Sequence, residues 1–258
     1  MDCLFRLVDD TEQFLSTWWR RRPGVLTPLF PPVDVLPPAT VEALLDDGLL
    51  AVPYVELVCA NGTVPPDRFC RPRTVLGQRL TNYVDAHRVQ RIIREEGATL
   101  VLRCVSQWNA GVRRLTDGIA ERLDHRVEAT YIITPPGPRA LRAERVDTDR
   151  LTIQIAGETT WQIHGNPPDE RPDATPVTLE TTVHSGQVLY TPKGFALTAI
   201  TTGDEPSVHL SLTIAASPTG TLTATTLFQK LRTSPDGLAP EALTSAARAA
   251  VRPMPGAV

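Results

Sequence analysis

The strongest constraint on this chain is a change of pattern at residue 126. From there to residue 215 the sequence breaks into short β-branched runs: VEATYIIT, RLTIQIA, TTWQIH, VTLETTV, QVLYT, FALTAITT and SVHLSLTIA. Turn signals divide them, namely PPGPR, Gly157, GNPPDERPDATP, HSG, PKG and TGDEP. Glycine tolerates positive φ and proline removes a ladder donor, so each such cluster ends a strand. Seven or eight strands at this spacing predict a closed barrel or a sandwich.

The front of the chain reads as helical. Asp9, Asp10 and Thr11 offer a cap for a helix over 9–22, with Phe14, Leu15, Trp18 and Trp19 as its apolar stripe and Pro23 as its end. A proline-rich loop follows, and Thr40 then caps VEALLDDGLL. AVPYVELVC reads as a strand and 60–82 as a loop. AHRVQRIIREE reads as a helix capped by Asp85 and stopped by a left-handed Gly97. TLVLRCV (99–105) is a predicted strand, and 108–124 a helix with Trp108, Val112, Leu115, Ile119 and Leu123 on one face. Two helix candidates, 223–233 and 240–252, follow the strands.

Composition narrows the function classes. The formal net charge of -3 gives no global field for nucleic acid. All but two of the 26 cationic residues, Lys193 and Lys230, are arginine, and the short basic run RRRP reads as a helix-end cap. Cys3, Cys59, Cys70 and Cys104 form no C-x-x-C, as expected of reduced thiols in a reducing compartment. No run approaches the ~18 apolar residues of a membrane span. MDCLFRLVDD lacks the basic start and apolar stretch of a signal peptide. The expectation is a cytoplasmic protein without nucleic-acid or membrane partners.

Six segments in order carry a resemblance. They are FLSTWWRRRP, GATLVLRCV, ITPPG, LTIQIAGETTW, SGQVLYTPKGF and SVHLSLTI. Together the chain resembles the JmjC-type cupin-fold oxygenases, in their ribosomal-protein hydroxylase branch, from about residue 12 to 215. The resemblance implies a mainly β fold with α: a double-stranded β-helix (cupin, jelly-roll) core, N-terminal helices and a short C-terminal helical tail. The JmjC-like domain would span 1–216. The tail, 217–258, would stand where this branch carries a helical dimerisation region and a winged helix. Leu227, Phe228 and Leu231 would pack on the barrel or on a second subunit, giving a homodimer.

The resemblance also locates a site. Family members hold Fe(II) with an H-x-D … H triad on one face, leaving the other for 2-oxoglutarate and O2. Counting forward from Thr134 and backward from Gln154 puts the first His position at Glu144, so the Asp position is Val146. The last His position, after PKGFA, is Leu197. Valine and leucine carry no lone pair, so no metal and no cofactor is expected. A one-residue shift makes Asp147 the carboxylate but leaves Arg145 or Val146 at the His position. The family's Lys or Arg for the distal carboxylate of 2-oxoglutarate falls on Thr159, and its Asn and Tyr on Thr130 and Ile132. Tyr131 is out of phase and would face the other side of its strand.

Glu144, Arg145, Asp147, Asp149 and Arg150 form a charged cluster at the former site mouth. It reads either as a solvated loop or as a reshaped pocket. In the second case Glu144, its pKa raised by apolar neighbours, would act as an acid or base with Arg145, Asp147 and His209. A metal site from Glu144, Asp147 and His209 is a further reading, while His209 in its SVHL context also reads as structural. No phosphate loop, G-x-S-x-G or H-E-x-x-H is present. Three functions follow. The first is a metal-independent binding or accessory protein for a peptide, protein or small biosynthetic intermediate in the barrel pocket. The second is a metal-independent enzyme for acid-base, cyclisation or isomerisation chemistry. The third is an Fe(II)/2-oxoglutarate hydroxylase with unorthodox ligands.

Overall fold

The computed structural model describes residues 2–165, 177–201 and 203–216, with 139–145 described by their backbone alone. The helical front comprises α1 (Phe5–Val8), α2 (Thr11–Thr17), β1 (Gly24–Leu26), α3 (Pro38–Asp46), β2 (Val55–Cys59), β3 (Gly62–Thr63) and α4 (Pro66–Phe69). It continues through the hairpin β4 (Arg73–Val75) and β5 (Gln78–Leu80), then α5 (Ala86–Glu96), β6 (Thr99–Leu102), α6 (Val105–Trp108) and α7 (Ala110–Leu123). The predicted strand region supplies β7 (His125–Thr134), β8 (Arg139–Arg145), β9 (Asp149–Ala156) and β10 (Glu158–His164). After these come β11 (Val177–His184), β12 (Val188–Thr191), β13 (Ala196–Thr201) and β14 (Ser207–Ala216).

Two antiparallel sheets face each other. The larger has the order β1-β12-β9-β14-β7-β6-β2-β3 and the smaller β11-β10-β13-β8. The non-sequential neighbours, with β9 lying between β12 and β14, give the wound connectivity of a double-stranded β-helix. Side-chain alternation along the strands builds two cores. Leu151, Ile153 and Ile155 of β9, with Leu210, Leu212 and Ile214 of β14, pack with Phe14, Val112 and Ile119 from the helices. A second cluster, Val146, Trp161, Ile163, Val183, Leu189, Leu197 and Ala199, fills the space between the sheets.

Each of the seven expected β-branched runs forms a strand, and the left-handed stop at Gly97 is present at φ 63°. The Asp85 side chain accepts from the Arg88 N–H at 3.1 Å. Several expectations need correction. The first long helix ends at Thr17, well before Pro23, because Arg20 turns left-handed at φ 57°. That turn lays Trp19 on Tyr190 at 5.8 Å between ring centroids, beside an edge-on Phe14 at 5.0 Å. Helix α3 starts at Pro38 and not after Thr40, since proline at the first position has its φ already set and lacks the N–H that would go unpaired. The segment 60–82 holds β3, α4 and the β4–β5 hairpin. β6 stops at Leu102 because left-handed Cys104 begins α6, which precedes the Asn109-capped α7. Finally, the charged run 139–145 is a strand at the edge of the smaller sheet, where charged residues are tolerated.

Asp149 ties the aromatic front to the barrel. It is 2% exposed, accepts from the Tyr190 hydroxyl at 2.7 Å and pairs with the Arg20 guanidinium at 3.2 Å. The Arg20 N–H in turn donates to the Tyr190 oxygen at 2.8 Å. Burial, and less so the Asp149 charge, pushes the Tyr190 phenol up from its ordinary value.

Met1–Ser217 form one compact unit and Pro218–Val258 a second. The tail helices at 223–233 and 240–252, and the packing of Leu227, Phe228 and Leu231, lie outside the described residues. Among the described residues no helix is long and apolar enough to cross a membrane.

Tyr190→Phe removes the donor to buried Asp149 and the acceptor of the Arg20 N–H. It is expected to lower stability by about 1–3 kcal/mol, read as a lower urea midpoint with an unchanged slope.

Candidate functional site

Strand register brings the three counted positions together. β8 pairs with β13 so that residue 144 lies directly across from Leu197. Just past β8, the Val146 N–H donates to the Phe195 carbonyl at 2.9 Å, and the Val146 carbonyl accepts from the Gly194 N–H at 2.7 Å. Val146 is 2% exposed and Leu197 4% exposed. Both belong to the cluster between the sheets, with Trp161, Ile163, Val183, Leu189 and Ala199. An iron centre does not fit these residues: two of the three counted positions present only hydrocarbon, packed against hydrocarbon. Among the described residues no three His, Cys, Asp or Glu side chains group as metal ligands.

The neighbouring polar wall carries no cation at position 159. Buried Thr159 shares a hydrogen bond with the Ser207 hydroxyl at 2.6 Å. The Ser207 hydroxyl also accepts from Gln154 Nε2 at 2.9 Å, and the same amide nitrogen donates to the Ala156 carbonyl. Thr130 and Ile132 are half-buried on β7, opposite Ser211 and His209 of β14. Tyr131 points into the helix-side core, as its phase predicts.

His209 lies on the barrel side of β14 beside Gln154. It is 3% exposed, and its ring stands edge-on to Trp161 at 5.5 Å. Burial, with the positive charge of Arg150 adding to it, pushes its pKa down to about 4, so the ring is neutral at pH 7. Among the described residues His209 Nδ1, Trp161 Nε1 and Gln154 Oε1 are buried with no hydrogen-bond partner.

The predicted catalytic set divides. Asp147 is exposed and lines a cavity of about 910 Å³ with Arg20, Lys193 and Phe195, whereas His209 faces Trp161 inside the barrel. Glu144 and Arg145 are placed by backbone register alone, their side chains lying outside the described residues. The expectation of one solvated charged loop is corrected: 144 and 145 belong to a strand, and Asp149 is buried in the knot with Arg20 and Tyr190. Sequence reading missed Arg20, taken only as part of a basic cap. Arg150 was named only as part of the charged cluster at the site mouth, and its even-numbered parity with Thr152 and Gln154 was the available signal for its place near His209. His164 is buried and bonded to Thr198 at 3.2 Å, a structural role.

Strand order and pairing define a double-stranded β-helix of the cupin type. No family model matches the chain. It is similar to NO66 of Drosophila simulans, a bifunctional lysine-specific demethylase and histidyl-hydroxylase, at 24% identity over 132 residues. That match covers 46% of this chain and 16% of NO66. Among solved structures it is similar to Escherichia coli YcfD with TM-score 0.59 and 18% identity, covering 94% of this chain and 67% of that one. YcfD is a ribosomal oxygenase. Its structure in complex with cobalt and 2-oxoglutarate matches with TM-score 0.58 at 17% identity, over 94% of this chain and 66% of that one. The chain thus spans about two thirds of YcfD and a small part of NO66.

Folding keeps His209 unprotonated down to about pH 4, while the unfolded chain takes up its proton near 6.5. The unfolded state therefore holds more protons between those values. This contribution is complete above pH 6.5 and is lost as the pH falls towards 4. On acidification from pH 7 to 4.5 the native chain is expected to lose about 2–3 kcal/mol more than a His209→Gln variant. Urea unfolding at the two pH values measures the difference, and equal losses would count against a neutral, buried imidazole.

Proposed function

We propose that this chain is a JmjC-like cupin protein that has lost the iron and 2-oxoglutarate sites and serves as a metal-independent binding or accessory protein for a peptide or protein. One observation carries this reading: Val146 and Leu197 are buried in hydrocarbon where the family places two of its three ligands. A lone carboxylate at position 144 does not hold a divalent ion against water. The loss of a cation at position 159, where Thr159 is engaged with Ser207, supports it independently. A polypeptide ligand is proposed because YcfD is a ribosomal oxygenase and NO66 is named for lysine and histidyl residues. The binding unit in this proposal is 1–216, with 217–258 as an appended helical element able to pair two chains.

A second reading, metal-free acid-base chemistry, draws on His209, a neutral buried imidazole with an unpartnered nitrogen. Asp147 does not join it, since it is exposed at a different cavity.

Calorimetric titration of Mn(II), followed by 2-oxoglutarate, is expected to give no saturable binding below about 1 mM. Stoichiometric metal with release of succinate overturns the proposal. The triple substitution Glu144→His, Val146→Asp and Leu197→His restores a donor triad. It is expected to bind Co(II) with visible absorption that the native chain does not give.

A further inference from the structure

The β4–β5 hairpin stands apart from both barrel sheets. Among the described residues its strands pair only with each other, so both outer edges keep backbone donors and acceptors without a ladder partner. Its turn, Leu76–Gly77, has φ of +48° and +77°. That geometry suits Asn or Gly at the first position, and a leucine there is strained. Leu76 is also 100% exposed, so among the described residues no burial offsets the strain. Val75 and Leu49 are further exposed apolar side chains, and Gly48, next to Leu49, lies against the Arg73 guanidinium.

The charges on the hairpin strands themselves, Arg73 and Arg79, are of one sign, while Asp46 and Asp85 line the cavity beside Arg71 and Arg73. From Arg68 to Val84 the sequence holds four arginines and no acidic residue. Arg68 is paired with Glu96, and Arg71 reaches Asp85 only at 3.9 Å. Arg73 sits over the Tyr83 ring at 5.3 Å, and Arg79 is exposed opposite Thr74. Two copies paired edge to edge would set arginine against arginine, which is repulsive. The ribbon carries no exposed aromatic ring on which nucleic-acid bases would stack. Val75 and Leu76 alone give too little apolar area for a membrane anchor. Open edges, cationic flanks and an apolar tip suit an anionic extended polypeptide.

We propose that the β4–β5 hairpin is a docking edge for an acidic, extended segment of a partner protein. The segment adds as a third strand, its carboxylates on one face meet Arg73 and those on the other face meet Arg79, which the register sets on opposite faces of the ribbon, and an apolar side chain covers Leu76. This site is separate from the barrel interior and stands whether or not the barrel binds a ligand.

The probe is a fluorescein-labelled Glu-Val-Glu-Glu-Val-Glu peptide, followed by anisotropy on the full chain. Its counterpart with lysine in place of glutamate, a labelled uridine oligonucleotide and phosphatidylserine vesicles run beside it. The acidic peptide is expected to bind, with about tenfold loss on the double substitution Arg73→Glu and Arg79→Glu and marked weakening at about 0.5 M salt. Bound peptide should slow amide exchange in 73–80. Leu76→Asn relieves the turn, so it is expected to raise Tm while weakening the peptide about three- to tenfold. Binding of RNA or vesicles in place of the peptide overturns the proposal. So does absence of binding to any probe, or an affinity that either variant leaves unchanged.

Discussion

The architecture depends on the two-residue alternation of side chains along β9 and β14. These strands lie at the centre of the larger sheet, and each must satisfy two environments at once. Their odd and even positions separate a face that is apolar but for Asp149 at its end, closed by the helices, from a face with Thr152, Gln154, Ser207, His209 and Ser211. A slip of one residue would exchange the two faces and bury a row of hydroxyls and an imidazole under α7. The ten-residue ladder between β14 and β7 and the bulge between Val208 and His209 against β9 hold that register.

With the register held, the space between the sheets is shared by two kinds of lining. One half is packed with Val146, Ile163, Leu189, Leu197 and their neighbours. The other holds polar groups, of which Thr159, Ser207 and the Gln154 amide nitrogen bond one another. Trp161 stands at the seam: its ring belongs to the apolar cluster and faces His209, while its N–H finds no protein acceptor among the described residues. Buried groups of this kind are normally satisfied by water or ligand.

Much of this was legible in the sequence. β-branched alternation between glycine and proline breaks marked each run that became β7 or β9 to β14, because there local propensity and burial agree. The ligand positions were legible by counting, because strands and tight turns fix the distance from Thr134 and Gln154 to residue 144. β8 was not. RALRAER has the composition of a solvated loop, and only its pairing with β13 makes it a strand. Asp149 was equally hidden, since a carboxylate in a charged stretch gives no local sign of burial; its partners Arg20 and Tyr190 are distant in sequence. The early end of α2 has the same origin, for the pull of Tyr190 on Trp19 is a tertiary effect.

The hydrocarbon at positions 146 and 197 has a consequence for how the chain persists in a cell. A metalloprotein barrel draws part of its cohesion from the ion it grips and loosens when that ion is scarce. Here aliphatic side chains make the corresponding contacts themselves. Under the proposed loss of the iron site, the cohesion of the barrel is then independent of iron supply and of chelators.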